Sequence, residues 1–448
     1  MHLGIDFGTT NSAAAIIARD GKPQVLPLDP HVPNANTLRT MLYVERDGHM
    51  RIGADAIQTH RLQNVGRLPR FSKQWIGEID IVITEGGTAV LDVFADVDAD
   101  APGRLLHSLK GPLASDYDGT KLFGKYYKLE ALIAEFLSRL RKRVEVITEQ
   151  TVTRAVFGRP VNFAGASQED DNERAEARLR VAAGLAGFTQ VEFEMEPIAA
   201  GLAYGAHHAF HPGEHALVFD FGGGTLDVAV LAVESGGLQR VLATGGVGIA
   251  GDRFDQALFK RAVLPWLGEH VRWGEQRLGL PTHLLEALGD WQDAAALCNL
   301  PTLAFMREAQ QHCTEPIRLF ALEDYIMRGY AYELFERIER VKVALSSRRF
   351  SPVAFEASAI ALWQPVTRAL FEHTIAREGR IIRAMIDDTL RRAGLEGHDI
   401  AHVIRTGGSS SIPYFIEMLA GMFGQDRIVE EDLFTGVAAG LAVRASTR

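Results

Sequence analysis

Apolar positions along the chain fall into short runs broken by glycine loops, and elsewhere into helical spacing. Leu3-Gly4-Ile5 leads into Asp6-Phe7-Gly8-Thr9-Thr10-Asn11, and the apolar run 13–18 follows. An apolar run, a tight polar turn and a second apolar run predict a β-hairpin. The same order returns later. Leu217-Val218-Phe219 leads into Asp220-Phe221-Gly222-Gly223-Gly224-Thr225-Leu226-Asp227, and apolar residues continue to Val233. Two copies of one strand–loop–strand unit predict two related lobes facing each other across a cleft.

Between the copies, Leu129, Leu132, Ile133, Phe136, Leu137, Leu140 and Val144 mark one buried helix face over 127–147. A strand at 155–158 ends at Pro160, a helix rich in Glu, Arg and Ala stops near 184–187, and a short strand covers 191–195. Residues 77–103 read as strand and then acidic loop. The stretch 256–345 is mostly helical, as is 381–394. A strand at 402–404 enters Gly407-Gly408-Ser409, and a final helix runs from about 435 to 445. The pattern predicts an α/β protein with mixed sheets and helices on both faces.

A length of 448 residues suits two to three domains of ~150–200 residues. The formal charge of −10 argues against coating nucleic acid, which needs clustered Lys and Arg. One basic run, Arg139 to Arg143, reads as a solvated helix face near a C-terminus. Cys298 and Cys313 lack metal or disulfide spacing. No leader pattern opens the chain and no apolar run is long enough to span a membrane, so a cytoplasmic protein is expected.

Glycine loops suit phosphate because backbone without Cβ approaches an anion closely and its N–H groups can converge. Thr9, Thr10 and Thr225 add short hydroxyls. Asp6 and Asp220 close the strands before the two loops, where a carboxylate can meet a hydrated Mg²⁺. Three other patterns fail. Gly119 to Lys125 spells a P-loop, but Tyr126 stands where a Ser or Thr is required. Asp96, Asp98 and Asp100 begin like a calcium loop, but Ala101 and His107 occupy its essential Gly and Glu positions. The pair His207-His208 shows no ligand spacing.

Four stretches together resemble the nucleotide-binding half of DnaK-type heat-shock chaperones, within the actin-like ATPase superfamily. They are Ile5 to Ser12, Glu196 to Gly205, Phe219 to Val228 and Thr406 to Pro413. The short form looks like the YegD branch, which lacks the peptide-binding domain. The resemblance implies an actin-like ATPase fold, with lobe I over 1–209 (subdomain IB about 39–120) completed by a C-terminal helix at about 428–448. Lobe II would cover 210–427, with subdomain IIB about 250–372 and an enlarged helical insertion at about 256–338.

By the same resemblance, Gly8, Thr9, Thr10 and Asn11 would bind phosphate from one side, and Gly222, Gly223, Gly224 and Thr225 from the other. Asp6, Glu196 and Asp220 would hold Mg²⁺ through its waters. Lys73, in Phe71 to Gly77, matches the family's catalytic lysine, acting with Glu196, Asp220 and Thr225. Gly251 and Asp252 match a nucleotide-side turn. Glu339, Lys342 and Ser346 match the adenosine helix, and Gly407, Gly408 and Ser409 the adenosine turn. Pro160 matches a proline that relays nucleotide state.

Two adenine-stacking arginines of the family are replaced by Val343 and Ser411, which implies weaker base binding. The function implied is a chaperone-like ATPase that binds Mg-ATP, hydrolyses it slowly to ADP and phosphate, and closes its lobes. Its partner would be a protein client or co-chaperone, with neither nucleic acid nor membrane. A nucleotide-gated scaffold with little turnover and a small-molecule kinase on the same fold are the alternatives.

Overall fold

Both strand–loop–strand units fold as antiparallel hairpins. Strand Leu3–Phe7 pairs with Asn11–Ile17, setting Asp6 opposite Ala13. Strand His215–Phe221 pairs with Leu226–Val233, setting Asp220 opposite Asp227. Each hairpin's first strand has a parallel neighbour on its other side, Arg154–Arg159 in one sheet and Ile400–Thr406 in the other. The repeated pattern in the sequence is thus repeated in sheet order. The computed structural model describes residues 2–30, 32, 34–83, 87–208, 210–234, 239–430 and 435–447, without the side chains of 74–83, 87–96 and 239.

The chain divides into two compact units, one comprising Met1–His60, Arg104–Phe254 and Ile375–Arg448, the other Arg61–Gly103 and Asp255–Thr374. In the first, a parallel strand Gln190–Met195 forms the edge beyond Arg154–Arg159. Helix Leu129–Thr148 buries the face its spacing foretold, and Phe136 meets Phe7 with ring centroids 5.7 Å apart. A fully buried Phe contributes about 1.5–3 kcal/mol. The second sheet, of five strands, runs from Gln239–Val247 through the hairpin to Ile400–Thr406 and Ile428–Glu430.

The last helix, Gly436–Ser446, packs on the first strand with almost no side chain between them. A Cβ on Gly4 would lie 2.3 Å from the Ala442 nitrogen, and one on Gly440 would lie 1.7 Å from the Ala199 oxygen. Glycine at both positions is what lets this helix sit between the first strand and helix Glu196–His207.

The basic run differs from the expected solvated face. Arg141 donates to the carbonyls of Val152 and Ala186, Arg143 donates to the Leu28 carbonyl, and Arg139 pairs with Glu135. Such long side chains satisfy carbonyls that loop ends leave unpaired. Gly119 to Lys125 lies in a two-stranded hairpin, Gly119–Leu122 with Lys125–Lys128, consistent with rejecting a P-loop there. Cys298 and Cys313 are free.

The second unit is mainly helical over Thr282–Ser347, with hairpins Phe71–Ile83 with Gly87–Asp98 and Phe350–Ala357 with Ile360–Thr367. Helix Ala331–Ser347 anchors it: Phe335 stacks on Phe259 at 4.6 Å, and Lys342 donates to Asp255 across 2.6 Å in a buried ion pair. Among the described residues, no helix is long and apolar enough to cross a membrane.

Candidate functional site

Three glycine loops of the first unit converge on Gly222 and Gly223. The first is braced from below: Thr40 donates its hydroxyl to the Gly8 carbonyl at 2.8 Å and its N–H to the Thr10 carbonyl at 2.9 Å. The second closes on itself through Gly222 N–H to the Thr225 carbonyl, 3.2 Å. The two loops touch. A Cβ on Gly223 would lie 2.0 Å from Thr10 Oγ1, and one on Gly224 would lie 2.8 Å from Thr9 Oγ1.

The third loop, at Gly407 with φ +80°, lies against the Phe221 backbone, and Ser409 donates its hydroxyl to the Gly222 carbonyl at 2.7 Å. The start of helix Gly251–Ala262 joins them. Gly251 and Asp252 donate their N–H groups to the carbonyls of Gly222 and Gly223, at 3.2 and 2.8 Å. Thr10 also donates to Asp252 Oδ1 at 3.5 Å.

Behind the loops stands a group of carboxylates. Asp6 and Asp220 are the penultimate residues of their strands. Glu196 opens helix Glu196–His207, and glycine at 158 leaves room for it, since a Cβ there would come 3.0 Å from Glu196 Cγ. Asp227 is 1% exposed and accepts from the Val161 N–H at 3.0 Å and from the Thr225 hydroxyl. Among the described residues, one cation faces them. Lys110 donates to Glu196 Oε1 at 2.5 Å, with side-chain exposures of 7% and 10%.

The electrostatics follow from that imbalance. Burial, then the charge of Glu196, pushes Asp6 up to about 7. Burial and Glu196 push Asp227 up to about 7 as well. Asp220 is raised well above the usual carboxylate range by burial and by Glu196, Asp227 and Asp6. Burial alone would lower Lys110, but Glu196 and Asp6 hold it above its ordinary value. Among the described residues, the site therefore holds more carboxyl groups than its own lysine would balance once they ionise. Among the described residues no three His, Cys, Asp or Glu side chains converge closely enough to ligate a metal directly.

The structure brings together Asp6, Gly8, Thr9, Thr10, Asn11, Glu196, Asp220, Gly222 to Thr225, Gly251, Asp252 and Gly407 to Ser409, all in the first unit. Glu339, Lys342 and Ser346 lie in the second, where Lys342 is committed to Asp255. Lys73 also lies in the second unit, exposed on the strand Phe71–Ile83. Lys110 was not singled out by sequence. Its signal is faint, a lysine between Leu109 and a Gly111-Pro112 turn. The turn is a short 3₁₀ segment, Gly111–Ala114, whose Leu113 and Ala114 are buried together with Leu109.

A family model described as Hsp70 protein matches residues 114–265 and 328–447, more than half of the chain. The chain belongs to the Hsp70 family. Its actin-like ATPase fold is the one the four motifs led us to expect. Among Hsp70 relatives, the chain is 24% identical to a chaperone protein DnaK of Thermosipho melanesiensis, over 99% of this chain and 59% of that protein. It is 28% identical to the heat shock 70 kDa protein BIP3 of Oryza sativa subsp. japonica, over 99% and 56%. It is 26% identical to a chaperone protein HscA homolog of Delftia acidovorans, over 99% and 58%. The chain thus spans under two thirds of the length of these Hsp70 relatives.

Proposed function

We propose that this chain is a chaperone-like ATPase module that binds Mg-ATP and hydrolyses it slowly to ADP and phosphate. The observation that carries the reading is the contact of Thr9 and Thr10 with Gly223 and Gly224 beside a carboxylate group holding one lysine. Phosphate oxygens suit loops with this composition, and a hydrated cation offsets the carboxylates. Asp6, Glu196 and Asp220 would hold Mg²⁺ through its waters. When bound, the ion would neutralise charge on the phosphate oxygens.

The chain's own residues supply the rest. Backbone N–H groups of the loops and the hydroxyls of Thr9, Thr10 and Thr225 orient the phosphates. In this reading Lys110, rather than Lys73, carries the positive charge that offsets developing negative charge during hydrolysis. Its ammonium is already buried among Glu196, Asp6 and Asp227, whereas Lys73 is solvent-exposed. The lobe division at about 210, with closure of the lobes around nucleotide, and contributions from Glu339 and Ser346 to adenosine belong to the same proposal. So do a protein client or co-chaperone as partner and a cytoplasmic location.

A nucleotide-gated scaffold is the second reading. It is favoured by the exposed Ile317 and Phe320, 77% and 52% accessible one turn apart on helix Pro316–Met327. A kinase would need a carboxylate base near the phosphate, and Asp227, the conceivable candidate, is buried and already accepts two hydrogen bonds, which disfavours that reading. Calorimetry and single-turnover assays with Mg-ATP test the proposal. Asp6→Ala and Asp220→Ala should each abolish Mg²⁺-dependent nucleotide binding. Wild-type affinity in both would place the ligand elsewhere.

A further inference from the structure

Strand Ile400–Thr406 is a core strand with one anomalous residue. Val403 and Ile404 are fully buried, and the next side chain, Arg405, is a guanidinium only 6% exposed. A cation in such a place costs free energy unless it is fully paired, and an apolar residue of similar volume would pack there more cheaply. The two groups that Arg405 holds show what its fork does. Nη1 donates to the Ser410 carbonyl at 2.6 Å. Nη2 donates to Glu430 Oε2 at 2.7 Å, a carboxylate 56% exposed on the neighbouring strand Ile428–Glu430.

Ser410 belongs to the turn Gly408–Ser411. The preceding residue in that turn, Ser409, donates to the Gly222 carbonyl, and Gly407 lies on the Phe221 backbone. A continuous set of bonds therefore runs from an exposed carboxylate, through a buried guanidinium and the third glycine turn, to the second loop. Lysine has a single nitrogen and cannot span both acceptors at a fixed angle, which is the property that a planar fork supplies.

We propose that Arg405 is a positioning residue for the second glycine loop, holding the Gly408–Ser411 turn so that Ser409 pins Gly222, with Glu430 as its surface anchor. Arg405 touches no ligand in this arrangement and acts through the turn. The ligand-binding part of the inference rests on the nucleotide reading above, while the ordering of the loop does not.

The test uses the full chain with Arg405→Met, Arg405→Lys and Glu430→Gln. Backbone amide exchange without ligand should rise about tenfold in 222–225 and 408–411 of Arg405→Met, and stay unchanged in 8–10. Dissociation constants for Mg-ATP and for Mg-tripolyphosphate should both rise about tenfold in that variant, with Tm within a few degrees of wild type. Arg405→Lys, keeping one acceptor, should fall between. Glu430→Gln should shift the same readouts in the same direction by about two- to threefold. Unchanged exchange in both segments of Arg405→Met overturns the inference. If that variant does not fold, Glu430→Gln decides, and unchanged exchange in it is the overturning result. Wild-type protein that binds neither probe removes the nucleotide reading, and the exchange arm then still decides the role of Arg405.

Discussion

Lys110 Nζ donates to Glu196 Oε1 across 2.5 Å, and both side chains are about nine-tenths buried. This pair joins the short turn after strand Gly103–His107 to the start of the helix that follows strand Gln190–Met195. It also sets the charge of the whole site, because Asp6 and Asp227 feel the same ammonium.

Removing that cation should leave buried carboxylates uncompensated. Lys110→Met is expected to lose ~3–5 kcal/mol of stability at pH 8 without divalent ions. Turnover should fall about 10²- to 10³-fold. Urea titration and single-turnover hydrolysis check both. Lys73→Ala, at an exposed position, should change either quantity by no more than about twofold. A collapse of turnover in Lys73→Ala with normal turnover in Lys110→Met would reverse the assignment.

The raised carboxylates make stability depend on pH in a definite direction. Asp6 and Asp227 stay protonated in the folded protein up to about 7, whereas their ordinary value is 3.8. Between those values the folded state binds more protons than the unfolded chain, so stability falls as pH rises through the window. Asp6→Asn removes one repelling charge and should raise Tm at pH 8 by about 3 °C or more, with little effect at pH 4. Thermal melts across that range, with and without Mg²⁺, test this. A mutant less stable than wild type at pH 8 would show that repulsion is not the controlling term.

Gly223→Ala should force the two loops apart, since its Cβ would lie 2.0 Å from Thr10 Oγ1. Nucleotide affinity should fall at least about tenfold. The double mutant with Thr10→Ala should recover part of that loss, because the obstructing hydroxyl is gone. A double-mutant cycle by calorimetry measures the coupling, and strict additivity would mean the loops do not meet in solution.

Base selectivity should be poor. Val343 is 63% exposed, and Ser411 keeps its hydroxyl on the Gly408 carbonyl at 2.8 Å. Without arginine at these positions, ATP and GTP should bind within about tenfold of each other. Val343→Arg with Ser411→Arg should tighten ATP more than tripolyphosphate. Tight adenine-selective binding by the unmodified protein would require another residue to cap the base.

The hairpins were legible because apolar runs broken by glycine loops are local signals, whereas the register that sets Asp6 opposite Ala13 and Asp220 opposite Asp227 is seen only in the structure. The helix Leu129–Thr148 was legible from its apolar spacing alone. Helix Arg368–Ala393 begins well before the apolar spacing that marked 381–394, because its first turns carry mixed residues around Phe371 and Ile375. Lys110 and Arg405 were not legible. A charged residue in an apolar stretch gives no local sign of burial, and only the approach of distant carboxylates and carbonyls accounts for it. For the arginines of 139–143 the same absence of local signal had suggested solvent.

The seating of helix Gly436–Ser446 on strand Leu3–Phe7 bears on biosynthesis. The strand Leu3–Phe7 leaves the ribosome long before the helix Gly436–Ser446, whose backbone covers it. Until residue 446 has cleared the exit tunnel, Gly4 and its neighbours present an open groove shaped for a helix that does not yet exist. At ~5–20 residues per second, that interval lasts on the order of tens of seconds. A nascent chain stalled before residue 436 should therefore bind holdase chaperones or be cut by protease at sites that the finished protein conceals.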